Sequence, residues 1–353
     1  MIRSGNVTFN VIFVPDTVQY LQVLTRSVIK YSQCRFRLVS NACSSVENRI
    51  LRDIASGSSR LEFYQVPATQ SQRHGLILNH LQRLERSGTF AFMDSDVYAT
   101  GEFLASILSA FRCSKAVFSC SPIWCNEQLE TAPDDARILT GLYNRLSDGL
   151  VVGSTYCAVY DNSILTEVIR ETDAGFDNCL WDDIPWSIRK ELGSDNRTYE
   201  KYDTGKVLNI LLGLRGHRLN NFRSETLKHV GGISALTLRR RNRTLSRILS
   251  QRLRAILGPS ARMLLENVGA RTDRERTRSP EQNVLAEASR RRAATMRHLS
   301  SLMLSLFYRQ PFRKEFRYRD EEVTEAVRET QRDITALFRE YGGQRLPEYA
   351  AAT

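Results

Sequence analysis

The chain has 353 residues, of which 42% are apolar and 25% charged, and a net charge of +11. That composition excludes a disordered chain, and the length allows two domains or one large domain with an appendage. Residues 1–234 hold 25 basic and 25 acidic side chains, residues 235–297 hold 16 and 5, and residues 298–353 hold 9 and 9; a neutral body with one arginine-rich block, Arg239 to Arg297, excludes a surface built throughout for nucleic acid.

The first third alternates strand and helix. Val7 to Val14 is β-branched and aromatic and is closed by Pro15-Asp16, which predicts a buried strand. Val18 to Tyr31 places Leu21, Leu24, Val28 and Ile29 at helical spacing. Phe36 to Val39 is a second strand, ending at Ser40-Asn41. Ser44 or Ser45 caps a helix that runs through Ile54 and stops at Gly57. Leu61–Val66 and Thr89–Met93 read as strands, with a helix over Gly75–Leu84 between them. This β-α-β-α-β-α-β order predicts an α/β fold with a mainly parallel sheet flanked by helices. In such sheets the chemistry gathers at the carboxyl ends of the strands, where Asp16, Asn41 and Asp94-Ser95-Asp96 fall.

The middle is less regular. A helix is expected over Glu102–Phe111, a strand over Ala116–Cys120, an apolar run over Leu150–Tyr160 and a helix from Asn162 to Glu171. Trp181 to Trp186 reads as a loop rich in carboxylates and aromatics. Tyr202 to Gly205 precedes a helix over Val207–Leu214, a short strand is expected within His217–Phe222, and His229-Val230-Gly231-Gly232 closes the domain near Ser234. Beyond it, Leu236–Leu257 reads as a basic amphipathic helix, 270–281 as a charged linker, and 282–308 and 320–341 as helices. The expected division is 1–234 and a mainly helical region 235–353.

Asp94-Ser95-Asp96 carries the main chemical signal. Two carboxylates one residue apart, after a buried strand, can face a divalent cation bound to a diphosphate. With Gly75-Leu76-Ile77-Leu78-Asn79 before it and Thr89-Phe90-Ala91-Phe92-Met93 leading into it, the stretch resembles the donor-binding half of the DxD-containing, family 2-like GT-A fold glycosyltransferases. The resemblance covers residues 7–110 most closely, extends to 234 and does not reach 235–353. It implies a UDP- or GDP-sugar donor, Mn²⁺ or Mg²⁺, a hexosyltransferase-type reaction, and an acceptor hydroxyl on a glycan, lipid-linked carrier or protein. By that resemblance Asp96 binds the metal directly, Asp94 contacts the ribose or reaches the metal through water, Ser95 and Asn79 are donor-binding, and His229 is a further metal ligand. A His beside Gly-Gly at a domain's end is otherwise a capping or surface residue.

Val14, Asp16 and Asn41 follow strands and are placed to meet base and ribose, and Arg73 to meet phosphate, unless Arg73 and His74 merely begin a solvated helix. An inverting transfer needs a carboxylate base. Asp182 and Asp183, with Trp181 and Trp186 to stack on sugar, are the first candidates. Asp203 is the competitor, with a helix N-cap as its plain role. A retaining transfer needs no such base, and the pattern leaves the two outcomes open. Tyr156, with Gly153-Ser154-Thr155, and Trp124 are acceptor candidates. A nucleotidyltransferase is the alternative enzyme, but Val14-Pro15-Asp16-Thr17-Val18 lacks its Gly-rich, basic loop. A non-catalytic GT-A-like scaffold that binds a membrane or partner is the other alternative. The arginine block reads as a solvated face, as an interfacial helix over anionic headgroups or, without any recognised motif, as a nucleic-acid contact. The seven cysteines, Cys34, Cys43, Cys113, Cys120, Cys125, Cys157 and Cys179, are odd in number and form no CxxC pair. Together with an N-terminus that lacks an apolar leader, they suggest a cytoplasmic chain of reduced thiols, peripheral to a membrane at most.

Overall fold

The computed structural model describes residues 7–119, 144–146, 149–153, 155–197, 202–222, 224–233, 280–312 and 314–342. The expected basic helix 236–257, together with Trp124, Ser154, Cys120 and Cys125, lies outside them. The elements are β1 (Thr8–Phe13), α1 (Val18–Lys30), β2 (Arg35–Ser40), α2 (Ser45–Ser56), β3 (Leu61–Gln65), α3 (His74–Leu84), β4 (Thr89–Asp94), β5 (Val97–Ala99), α4 (Leu104–Arg112), β6 (Ala116–Ser119), β7 (Asn144–Arg145), β8 (Val151–Val152), β9 (Cys157–Asp161), α5 (Asn162–Thr172), α6 (Trp186–Leu192), α7 (Lys206–Leu214), β10 (Leu219–Asn221), β11 (Leu227–His229), α8 (Pro280–Phe307) and α9 (Glu321–Tyr341).

Seven strands form one sheet in the order β10-β6-β9-β4-β1-β2-β3. β1 lies parallel to both β2 and β4, so the strand order reverses at the β1–β4 seam, where α/β sheets open a crevice. β9 runs antiparallel between β4 and β6, which makes the sheet mixed but mainly parallel. Alternation along the strands supplies both faces. Phe9, Val11, Phe13, Ala91 and Met93 face one cluster with α1, α2 and α4. Phe90, Phe92, Ala158 and Tyr160 face the other, with α3, α5 and α7.

Local signals position α2 closely. Ser44 is its N-cap, and its hydroxyl and the Glu47 carboxylate form a capping box. Glu47 is 1% exposed and also accepts from the Thr17 and Val18 backbone N–H groups, so one carboxylate ties the starts of α1 and α2 together. Trp186 opens α6 rather than closing a loop, and Trp181–Asp183 forms a short 3-10 turn.

The C-terminal helices do not stand apart from this body. Leu299, Leu302, Met303, Val323, Val327 and Ile334 are buried in the same cluster as Leu21, Leu24 and Val28 of α1. No helix among the described residues is long and apolar enough to cross a membrane. The described cysteines form no disulfide, and burial pushes the Cys34 thiol up to about 11 and the Cys43 thiol up to about 12.

Candidate active site

β4 is buried from Thr89 to Met93 and ends at Asp94, which stands half-buried at its carboxyl end. The chain then turns through the buried Ser95 and Asp96 into β5. β11 pairs antiparallel with β5, with His229 opposite Val97. The Val230 N–H extends this pairing by donating to the Asp96 carbonyl at 3.0 Å. A histidine 133 residues away in sequence is thereby set beside the acidic turn. Its Nε2 lies 3.2 Å from Asp96 Oδ1 and 3.6 Å from Asp94 Oδ2. Potential ligand atoms of Asp94, Asp96 and His229 all lie within 4.8 Å of one another.

Two carboxylates and an imidazole at this spacing are a donor set suited to Mn²⁺ or a similar divalent ion. The surroundings orient it. The Ile233 N–H donates to Asp96 Oδ2 at 3.0 Å. The Asp94 N–H donates to the Tyr156 carbonyl at 2.8 Å, and the Tyr156 ring stacks on His229 with centroids 4.5 Å apart. His229 Nδ1 is buried with no hydrogen-bond partner among the described residues. The electrostatics separate the two carboxylates. Burial, then the charges of Asp96 and Asp203, push Asp94 well above the usual carboxylate range. Burial also opposes the charge on Asp96, but the His229 charge and hydrogen bond and the Ile233 N–H outweigh it and hold that carboxyl low.

His74 was expected only as a helix start. Its Nε2 lies 3.9 Å from Asp94 Oδ1, and its ring meets Phe92 edge-on. Burial lowers its pKa, against the opposing charges of Asp203 and Asp96. The available sequence signal was the position of α3, whose N-terminus must face the carboxyl end of the sheet. A Cβ on Gly75 would lie 2.4 Å from the Phe176 carbonyl oxygen, so glycine lets the start of α3 approach that segment.

The other candidates divide into three groups. Asp203 lies near enough for its charge to act on both Asp94 and His74. It is not the N-cap of α7, a position held by Gly205 at φ 74°. Asp182 and Asp183 serve the turn that contains them: Asp183 accepts from the Leu180 N–H at 2.9 Å, and the 85% exposed Asp182 pairs with Arg189. Trp181 stacks against Tyr202, whereas Trp186 is 69% exposed beside Lys190. Several donor-side candidates are engaged within the protein. Asn41 exchanges two hydrogen bonds with the Gln72 backbone. Asn79 accepts from the Phe176 N–H at 2.7 Å, and Arg73 pairs with Asp177 at 2.6 Å. The Val14 carbonyl accepts from Thr17, while Asp16 is exposed at φ 68°, a left-handed conformation.

No family model matches the sequence, and no curated protein matches it. Among solved structures, the chain is similar to mannosyltransferase PcManGT from Pyrobaculum calidifontis in complex with GDP-Man and Mn²⁺, at 11% identity over 99% of this chain and 80% of that one, with a TM-score of 0.39. It is similar to the galactosyltransferase LgtC in complex with donor and acceptor sugar analogs, at 12% identity over 61% of this chain and 73% of that one, with a TM-score of 0.38. A third structure is 4-diphosphocytidyl-2C-methyl-D-erythritol synthase from Anaerococcus prevotii, at 11% identity over 65% of this chain and 96% of that one, with a TM-score of 0.36. At these scores the likeness carries no argument about activity, substrate or metal. The chain's own strand order gives it the mainly parallel α/β sheet flanked by helices that its sequence predicts, with the Asp94-Ser95-Asp96 turn at the end of β4 and β11 returned beside it.

Proposed function

We propose that the protein is a metal-dependent glycosyltransferase of the hexosyltransferase type, moving a sugar from a UDP- or GDP-sugar to an acceptor hydroxyl. The observation that carries this reading is the convergence of Asp94, Asp96 and His229 at the carboxyl end of a central strand. Mn²⁺ or Mg²⁺ held there would neutralise the donor diphosphate as it leaves. Asp16 and the ends of β1 and β2 would frame the nucleoside, and the exposed Trp186 would offer an aromatic face to the acceptor.

Asp203 is the better-supported base because its charge reaches Asp94 and His74, whereas Asp182 and Asp183 are engaged at their own turn. In an inverting reaction it would take the acceptor proton. Asp203→Asn is then expected to lower kcat by about 10²–10⁴-fold with donor affinity kept, while Asp182→Asn stays near wild type. Calorimetry with a panel of UDP- and GDP-sugars, with and without Mn²⁺, tests the assignment itself. No metal-dependent binding of any sugar nucleotide would sink it. Turnover of a nucleoside triphosphate with release of pyrophosphate would favour a nucleotidyltransferase instead.

The block Arg239–Arg297 contains only arginine as its basic residue and would hold the enzyme at an anionic membrane bearing a lipid-linked acceptor. The full chain should float with phosphatidylserine vesicles and not with neutral ones. A variant with Arg239, Arg240, Arg241 and Arg243 changed to Gln should lose that flotation, and equal flotation of the two would remove the membrane from the account.

A further inference from the structure

The C-terminal helices reach the strand pair that carries the metal group. Lys228 and Tyr98 are direct partners in the β11–β5 register. Each sits beside a ligand in sequence: Lys228 immediately before His229, and Tyr98 two residues after Asp96. Both side chains end on one carboxylate oxygen. The Tyr98 hydroxyl donates to Asp333 Oδ2 at 3.0 Å, and Lys228 Nζ donates to the same atom at 3.1 Å. Tyr98 and Lys228 are buried, and a half-exposed Glu329, one turn earlier on α9, completes the Lys228 pairing. α8 makes a second contact with the same region. A Cβ on Gly232, at φ 73°, would lie 2.2 Å from Met296 Cε, so Met296 packs directly on the turn that supplies the Ile233 N–H to Asp96.

Successive strand residues face opposite ways. Lys228 therefore points to α9 while His229 points to the acidic turn, and anything that anchors the first sets the orientation of the second. Asp333 joins the side chains of β5 and β11 at the position next to the ligands, beside the backbone ladder of the pair. The strands have three residues each, extended by one backbone hydrogen bond at either end, Val230 N–H to the Asp96 carbonyl and Thr100 N–H to the Thr226 carbonyl, and a two-stranded ladder of this length is weak without support from packed side chains.

We propose that Asp333 is a positioning residue for the metal centre: by binding Tyr98 and Lys228 together it holds β5 and β11 in the register that brings His229 to Asp96. This rests on the metal reading given above. It makes the C-terminal helices the rear wall of the site, contributed by a segment that the family resemblance does not cover.

The test uses the full chain and Mn²⁺ alone, with free Mn²⁺ read by its electron paramagnetic resonance signal. Asp333→Asn is expected to weaken Mn²⁺ binding about 10–100-fold, as loss of an outer partner of a ligand set does. Ile334→Ala, next along α9 and buried without any part in this network, should lower the denaturation midpoint yet leave Mn²⁺ affinity unchanged. That contrast separates positioning from general destabilisation. Should Asp333→Asn fail to fold, Tyr98→Phe removes the hydroxyl alone and is expected to weaken Mn²⁺ binding severalfold. Wild-type Mn²⁺ affinity in the folded variants overturns the proposal. Absence of Mn²⁺ binding by the wild-type protein overturns the metal reading and this proposal with it.

Discussion

Asp96→Ala should reduce Mn²⁺ affinity by about 10³-fold, equivalent to about 4 kcal/mol, and sugar transfer should fall with it. Asp96 is the carboxylate whose charge the fold supports. It is buried, it receives the Ile233 N–H, and His229 stands 3.2 Å away. Its low pKa means that it is ionised and ready for metal across the neutral range. Asp94 behaves in the opposite sense. Burial and two neighbouring carboxylates raise its pKa in the metal-free protein. The folded chain therefore holds that proton more tightly than the unfolded chain. The stability this confers is full below about pH 3.9, the ordinary Asp value, and is lost as pH rises through the folded value.

Two measurable consequences follow from that sign. Metal-free Asp94→Asn should be more resistant to denaturant than wild type at pH 7, and the advantage should vanish near pH 3.5. Mn²⁺ affinity of the wild type should strengthen with rising pH, by about tenfold per unit while one proton is displaced, because the metal needs the ionised carboxylate. A flat pH dependence, or an Asp94→Asn variant no more stable than wild type at pH 7, would show that Asp94 is not a destabilised ligand. The uncompensated carboxylate is thus a cost that a bound metal would relieve.

A chain ended at residue 279 should not fold. Ten buried apolar side chains lie between Met296 and Phe338. At about 1.5–3 kcal/mol each they represent about 15–30 kcal/mol of burial, an upper bound, against a total stability of about 5–15 kcal/mol for an ordinary domain. Removing them also uncovers Leu21, Leu24 and Val28 of α1. The truncated chain should lose its near-ultraviolet circular dichroism and its cooperative unfolding transition, and should aggregate. A truncated chain with a sharp transition near that of the full protein would show that 1–279 has a sufficient core of its own. The same argument dictates charge substitution, rather than truncation, for any test of the arginine block.

The order of the longer strands and helices up to Glu171, the short β5 and β7 apart, was legible because it depends on local pattern. The buried run Val7–Val14 becomes β1, Ser44 with Glu47 caps α2, and Thr89–Met93 delivers Asp94 to the sheet's edge. The mixed character of the sheet was not legible. The apolar run 150–160 shows a strand but not its direction, and β9 enters antiparallel between β4 and β6. The strands β5 and β11 have three residues each, too few for period-2 alternation to stand out.

The acidic turn and its histidine illustrate the same division within the site. Asp94-Ser95-Asp96 follows from a strand and its terminus, so sequence alone locates it. The place of His229 beside that turn follows only from the pairing of β11 with β5. Among the acidic candidates, composition favoured Asp182-Asp183 between two tryptophans. In the fold Asp183 satisfies the Leu180 N–H, while the charge of Asp203 acts on Asp94 and His74.

By itself, then, the sequence determined the neutral α/β body, its strand-end carboxylates and the confinement of the +11 excess to residues 235–297, since propensity, periodicity and charge are properties of neighbours along the chain. Only the tertiary structure decided that α8 and α9 share the core with α1, that His229 stands beside Asp94 and Asp96, and that Asp333 binds side chains of both β5 and β11. These contacts join residues more than 100 positions apart, and they depend on which faces the sheet and helices leave uncovered, a quantity no local pattern contains.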